Sequence, residues 1–506
     1  MSASLSTADG FVTGLLDEPL LEFGYRQLLD DPRLGLGTFG PLSERHPKQI
    51  RLGVVGTPLG ASKLQAWLKF VGNYIPAPSP KLHQAPFPGF EAAFGVALPA
   101  EPVATLPISP LELAKTIRIA DRHVAIFETV SLFEKQIRRV VENDDLDVKV
   151  WFVVIPDEIY QFGRPQSSVP QSERIPFRRR MNTRFARRLE TEPSLFFDDM
   201  KVAEVYQHEL DFHNQLKARL LDVRAVVQIV RESSLEPERV PTRGSRRLQD
   251  PATVAWNLCT TTFYKAGGRP WKLGRVRDRV CYVGLAFKRL PGGDPRAACC
   301  GAQMFLDSGD GLVFKGAIGR WFSERYGEFH LSREAAEKVL RSVLEEYKSL
   351  FGGQPKEVFV HARTRFNRDE LAGFGDAAPD ARIVGVRIQR TQDLKLYRDG
   401  KLPVVRGTFM QVGPGTAYLW TTGYVAAQNT YAGREVPNPL RVDVDGQDIE
   451  LRQVLDDIMG LTKLNFNACI YADGLPVTLR FADAVGEILT ASIRIDTPPL
   501  PFRHYI

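Results

Sequence analysis

Apolar positions recur along the chain in two rhythms, and the change of rhythm divides it. In the first half, short apolar runs alternate with stretches of helical spacing. Residues 50–56 (IRLGVVG) form an apolar run ending in glycine, and LGASKLQAWLKFVGNYI follows with Leu, Trp and Phe at helical intervals. Residues 76–106 are rich in proline and read as irregular. LAKTIRIADRHVAIFETVSLFEKQIRRVVEN then reads as one helix or two. In residues 147–156 (DVKVWFVVIP) both alternating faces are apolar, which predicts a strand buried on both sides. DFHNQLKARLL predicts a helix, and residues 224–232 (RAVVQIVRE) predict another buried strand. Strand, helix, strand, helix, strand is the order of a Rossmann-like parallel sheet. The glycines after the first strand are too few for the G-x-G-x-x-G dinucleotide fingerprint.

From residue 279 the pattern changes. RVCYVGLAFKRL, AAQMFLDS and GLVFKGA read as three strands, with GDG between the last two as a hairpin turn. Residues 332–353 (SREAAEKVLRSVLEEYKSLFGG) predict a helix with Ser332 as its N-cap and Glu334, Glu337 and Lys338 on its polar face. KEVFVHAR is a strand, NRDELAGF a short helix and ARIVGVRIQ a further strand. Three antiparallel strands, then helix, strand, helix, strand, is the order of the ribonuclease H fold, a topology that assigns no function by itself. Before both halves, DDPRLGLGTFGPLSERHP reads as an ordered loop. The expected organisation is an N-terminal segment over 1–48, a Rossmann-like α/β domain over 49–275 and a ribonuclease-H-like α/β domain over 276–506.

Composition narrows the class. At 506 residues, 43% hydrophobic and 25% charged, the chain can build two or three ordinary domains. A net charge of +6 permits an acidic partner without demanding one. The five cysteines form no CxxC pair and no zinc spacing, which fits a reducing compartment. The N-terminus lacks the basic start and apolar core of a secretory signal, and no long apolar run predicts a membrane span. A cytoplasmic protein is expected. No G-x-S-x-G elbow, P-loop or H-E-x-x-H motif occurs.

Two local features carry candidate chemistry. His213 and Lys217 lie four residues apart on one predicted helix and share a face. By spacing alone a solvated face is the plainer reading. RIPFRRRMNTRFARRL holds seven arginines and no acid. Arg178, Arg179, Arg180, Arg184, Arg187 and Arg188 suit phosphates, and Phe177 and Phe185 suit stacking on a base. A solvated loop, or a surface for an acidic protein, is the plainer reading. PTRGSRRLQD is a weaker basic loop of the same sort.

Five blocks say more. DPRLGLGTFGPL, VIPDEIYQFGRPQS, TTFYKAGGRPWKL, LTKLNFN and LPVTLRFADAVGEIL follow in this order across nearly the whole chain. Together they resemble the short prokaryotic Argonautes. The resemblance implies a MID domain followed by a PIWI domain, without a PAZ domain or a full N domain. It also implies that the MID domain grips the 5′ end of a guide strand through His213, Lys217, Gln228 and Lys265. A 5′-phosphate brings up to two charges and several acceptor oxygens. Two lysines would supply charge, Gln228 an amide donor, and His213 either a hydrogen bond or a stack on the first base. The resemblance further implies that the carboxylate of Ile506 reaches back to this end, where Mg2+ can bridge carboxylate and phosphates. A merely packed terminus is the alternative.

Ribonuclease-H chemistry needs clustered carboxylates holding two metal ions about 4 Å apart. Active PIWI domains carry the first Asp in a pattern like G-I-D, and here YVGLAFK puts Ala286 in its place. The second is expected in VFVHARTRF, where Arg363 stands. The last, an Asp or His, is expected near LTKLNFNACI, which contains neither. Glu324 or Glu328 could serve as the glutamate, but one carboxylate cannot hold two metals. A PIWI domain that does not cleave is expected. The resemblance then implies a short 5′-phosphorylated RNA guide, a single-stranded DNA target and an output on a partner chain. That partner would carry an APAZ domain, resembling the missing N-terminal part of long Argonautes, fused to a sirtuin-like or TIR NAD-hydrolase or a nuclease. The setting would be immunity against plasmids or phage. Two rival readings remain: a guided endonuclease whose acids lie in another register, and a guide-independent nucleic-acid-binding scaffold.

Overall fold

The computed structural model describes the chain except for residues 1–5, 9–10, 44–45, 80, 82, 166, 168, 170, 177, 192–196, 237–248, 276, 290–296, 306–310, 326, 432, 434, 447–448 and 493–498, and the side chains of 6–8, 184, 187, 190–191, 197–198 and 317. The first half is built on a four-stranded sheet in the order Ala104–Pro107, Leu52–Gly56, Val150–Ile155, Val227–Arg231, with every pairing parallel. The two inner strands are buried along their whole length, as their unbroken apolar runs predict.

Three expectations for this half need correction. The proline-rich stretch is not wholly irregular, because Ala104–Pro107 closes one edge of the sheet and Phe90–Phe94 forms a helical turn. An edge strand needs only one hydrogen-bonded side, so its prolines do not exclude it. The strand Val227–Arg231 is only partly buried, and Gln228, Ile229 and Arg231 are its half-exposed positions. The glycine-rich loop is in fact a helix, Pro32–Phe39. Asp31 caps it by accepting from Arg33 N at 2.8 Å and Leu34 N at 3.3 Å, and Pro32 occupies the first turn. Gly35 is required there by packing, since a Cβ would fall 2.2 Å from the Phe23 ring. The long helical stretch that follows the proline-rich segment forms two helices, Pro110–Ile117 and Arg122–Asn143, with Asp121 capping the second.

The second half centres on the strands Gly311–Gly319, Ala298–Phe305, Val280–Arg289, Glu357–Ala362 and Arg382–Arg390, side by side in that order. The first three are antiparallel and the last three parallel, which is the ribonuclease H arrangement. The helix Arg333–Phe351 comes after the strand Gly311–Gly319 in the chain, with Ser332 accepting from Ala335 N at 3.3 Å and Gly352 ending it at φ 71°. The predicted GDG turn falls largely outside the described residues. The sheet continues through Leu440–Asp445, Thr416–Leu419 and Thr408–Gly413 to Phe11–Leu15, so residues of the N-terminal segment join this sheet. At its other edge Leu500–Pro501 pairs with Leu312 and Val313. Among the described residues no helix is long and apolar enough to cross a membrane.

The blocks that carried the resemblance meet in space. Phe466 of LTKLNFN packs against Tyr264 and Trp271 of TTFYKAGGRPWKL, and Trp271 Nε1 donates to Lys463 O at 3.0 Å. Lys463 and Arg406, both almost fully buried, share the carboxylate of Glu18, at 2.6 and 3.0 Å. Burial opposes charge on Glu18, but the two cations outweigh it and hold its pKa below the usual range. This buried triad ties the N-terminal segment to the second sheet. Replacing Glu18 with Gln strands two buried cations, so unfolding in denaturant should show a loss on the order of 3–5 kcal/mol. A loss within experimental error would mean that the triad does not hold the segment.

Candidate nucleic-acid interface

At the carboxyl end of the first sheet lies a cavity of about 1170 Å3. The helices beside the sheet contribute Trp67, Tyr160 and Asn257, and the second half closes it with Asn467 and Glu487. Open α/β sheets bind ligands at this end. The helix Phe212–Arg219 starts at the cavity rim, capped by Asp211, which accepts from Asn214 N at 3.2 Å.

His213 and Gln228 stand on the cavity wall. Lys217 and Lys265 lie behind it, fully enclosed. Lys217 Nζ donates to the carbonyl of Tyr505 at 3.1 Å. Lys265 Nζ donates to Val227 O at 2.9 Å and to Gln228 Oε1 at 2.7 Å. Neither ammonium has a carboxylate partner among the described residues. Burial lowers the Lys217 pKa to about 7, and burial together with the charge of Lys217 pushes Lys265 well below the ordinary lysine range. The chain reaches Lys217 because residues 500–506 thread back between the halves. Phe502 packs on Phe305 and Phe481, and Tyr505 and Ile506 are buried in the same core. Gly267, at φ 99°, makes the turn after Lys265.

His213 is held differently from a simple phosphate donor. Its Nδ1 faces Asn214 Oδ1 at 3.2 Å. The Asn214 amide is oriented by donating through Nδ2 to Glu209 at 3.3 Å and Glu487 at 3.4 Å. Nδ1 therefore carries the proton of the neutral ring, and Nε2 is left as an acceptor. Burial first, and then Lys217, drive the His213 pKa well below its usual value. An anion entering the cavity would reverse this and draw a proton onto the ring.

The structure also supplies cavity groups that sequence reasoning missed. Arg164 and Arg231 flank the ring of Tyr160 with their guanidinium carbons 4.7 and 4.4 Å from its centroid, and all three line the cavity. Tyr160 and Arg164 lay within one resemblance block, but nothing in a linear sequence pairs them with Arg231. The arginine-rich stretch is placed elsewhere and does not line the cavity. Its backbone is anchored, with Arg178 N donating to Ala120 O at 3.1 Å and Arg180 N to Asp121 at 2.9 Å, while the side chains of Arg178, Arg179 and Arg180 are exposed. The side chain of Arg184 and residue Phe177 lie outside the described set, and Phe185 is exposed.

On the second sheet Gly284 and His361 form the last pair of two parallel strands, and Ala286 and Arg363 each lie two residues beyond it. The group that meets Arg363 is Asp483, at the head of the helix Ala482–Ala491, whose carboxylate lies 2.7 Å from Arg363 Nη1. The segment LTKLNFNACI packs against the first half instead, with Asn467 lining the cavity and Cys469 N donating to Asn257 at 2.9 Å. Glu328 accepts from Arg365 N at 3.3 Å and lies 3.8 Å from Arg387. Among the described residues no three Asp, Glu, His or Cys side chains converge to hold a metal ion.

This architecture is that of Argonaute proteins, a MID-like half followed by a PIWI-like half. The chain is similar in fold to Clostridium butyricum Argonaute, solved with a guide DNA bearing a 5′ deoxycytidine and a 19-mer target DNA, with a TM-score of 0.62 and 14% identity over 96% of this chain and 53% of that one. It is likewise similar to Aa-Ago, solved with externally bound siRNA, with a TM-score of 0.55 and 14% identity over 97% of this chain and 56% of that one. The chain thus spans about half the length of these structures. No family model matches the sequence, and no curated protein does.

The buried lysine sets a pH dependence that can be measured without ligand. Lys217 loses its proton near pH 7 when folded and near pH 10.5 when unfolded. Between those values the unfolded chain binds one more proton, so stability rises with pH by about 1.4 kcal/mol per unit from this group. Relative to Lys217→Met, the wild type should gain about 3 kcal/mol between pH 7.5 and 10 in denaturant unfolding. Parallel pH profiles for the two proteins would show that burial does not lower the Lys217 pKa on folding.

Proposed function

We propose that this chain is the guide-dependent nucleic-acid recognition subunit of a prokaryotic immune system. It takes a short RNA by its 5′-phosphate, pairs it with single-stranded DNA and passes the event to an APAZ-domain effector chain. The observation that carries the reading is the pair of enclosed ammonium groups, Lys217 and Lys265, without a carboxylate, behind a cavity walled by His213 and Gln228. Buried charge is costly unless it is paired, and a doubly charged phosphate is the partner that two ammonium groups and an imidazolium fit best. Arg164 and Arg231 at the same wall suit the phosphates that follow along the strand. That similarly folded proteins were solved with guide, target or siRNA strands supports the same reading.

The Mg2+ ion fits these residues less well than the phosphate does. Two lysines already balance the charge of the phosphate, so nothing in this reading is routed through the ion. Cleavage is not proposed. Ala286 offers no ligand, and Arg363 with Asp483 forms an ion pair where a metal would need carboxylates. Output therefore belongs to a partner. A target duplex can switch that partner only by favouring one of its states, and a few kcal/mol of preference would take an effector from about 1% to mostly active.

Binding of 5′-phosphorylated and 5′-hydroxyl RNA of equal sequence is the direct test, with 5′-phosphorylated DNA as a third arm. The phosphate should improve affinity roughly 100-fold, the effect of two charge-assisted contacts. Calorimetry in buffers of different ionisation enthalpy should show proton uptake near pH 7.5, because the phosphate recharges Lys217 and His213. Equal binding of the two RNAs would overturn the pocket assignment. Guide-matched target should stay intact with Mg2+ or Mn2+, and site-specific cutting by the purified chain would revive the endonuclease reading.

A further inference from the structure

The vacated metal centre carries more than the loss of an activity. Arg363 stands just beyond the strand Glu357–Ala362, which pairs in parallel with the strand that carries Ala286. Its backbone is fixed, since its carbonyl accepts from Gln389 Nε2 at 2.9 Å and from Arg387 Nε at 3.4 Å. Its guanidinium is not enclosed. The Arg363 and Asp483 side chains are 48% and 61% exposed, against 13% and 17% for Arg387 and Asp443 nearby. Lys288, two residues beyond Ala286 on the same strand face, pairs with Glu487 at 2.8 Å, and Glu487 is one helical turn beyond Asp483. Two cations on or beside the sheet thus face two acids on one helix, and Ala484 and Glu487 of that helix line the cavity at the guide end.

An exposed ion pair holds weakly and exchanges readily. A phosphodiester can take the place of Asp483 on Arg363 with two parallel hydrogen bonds, a geometry that the planar guanidinium favours. We infer that Arg363, with Lys288 beside it, is a binding site for a backbone phosphate of the target strand, at the position where a cleaving relative would hold that phosphate on metal ions. The occupant is the target strand rather than the guide, because the ribonuclease-H centre faces the strand that would be cut. Asp483 is the competing anion that occupies Arg363 until the target arrives. Loss of the metal ligands and gain of this contact are then one change, from cutting the target to holding it.

The inference rests on the proposed guide-dependent function, and the experiment separates the two. Wild type, Arg363→Ala and Asp483→Asn are loaded with 5′-phosphorylated RNA, and the affinity for complementary single-stranded DNA is measured over a range of salt concentrations. Arg363→Ala should bind target several-fold more weakly, with a salt slope smaller by about one. Asp483→Asn should bind it several-fold more tightly, because the competitor is gone. Guide affinity should be unchanged in both. Opposite signs for the two partners of one ion pair cannot come from a merely structural pair, whose loss would act in the same direction. An unchanged target affinity and salt slope in Arg363→Ala, weaker binding in Asp483→Asn, or an effect of Arg363→Ala on guide affinity would each overturn the inference. Failure of the wild type to take up guide would instead overturn the functional reading on which it stands.

Discussion

Two lysine amino groups enclosed behind one cavity wall set the terms for the cavity at the carboxyl end of the first sheet. Lys217 and Lys265 have been taken out of water, and among the described residues only carbonyl and amide oxygens receive their protons. Such a pair is tolerated only if the oxygens are held in place, and four separate segments are arranged to do so. The strand Val227–Arg231 offers Val227 O and Gln228, two helices bring the lysines themselves, and the final residues bring Tyr505 O. The tail can reach Lys217 only by pairing with Leu312 and Val313 and wedging Phe502 between Phe305 and Phe481. Tail insertion, domain closure and the charge of the cavity are therefore one constraint.

A second set of buried cations shows what a purely structural solution looks like. Lys463 and Arg406 are as deeply buried, yet Glu18 lies between them, and Lys463 also rests on the Tyr471 ring at 3.6 Å. Burial lowers the Lys463 pKa only to about 8, because Glu18 opposes the shift. At Lys217 no carboxylate among the described residues opposes it and the pKa falls further, to about 7. The same residue type, burial and fold yield a carboxylate-paired lysine in one place and, among the described residues, a lysine held only by a carbonyl in the other. The difference is a single carboxylate.

The helix Ala482–Ala491 links the two regions where nucleic acid is proposed to act. Glu487 reaches Asn214, which sets the ring tautomer of His213, and one turn earlier Asp483 holds Arg363. In the proposed reading, Ala286 and Arg363 stand where a cleaving PIWI domain would carry carboxylates, and Asp483 is balanced by the arginine. Such an arrangement would repel metal ions and attract phosphates.

Local pattern was enough for most of the secondary structure. The inner strands of both sheets, the Ser332-capped helix and the ribonuclease H order follow from apolar runs, periodicity and capping residues, which act over a few neighbours. The helix Pro32–Phe39 was misread because its glycines argue for a loop, and the Phe23 ring pressing on Gly35 requires one of them. Of the guide-end residues, the four-residue spacing placed His213 and Lys217 on one helix face, while Gln228 and Lys265 entered only through the family resemblance. Their charge state depends on burial and on the absence of nearby acids, which no spacing reveals. Arg231 beside Tyr160, Tyr505 on Lys217 and Asp483 on Arg363 join residues 71, 288 and 120 positions apart. Such contacts arise from how sheets, helices and tail pack together, so only the tertiary structure decides them.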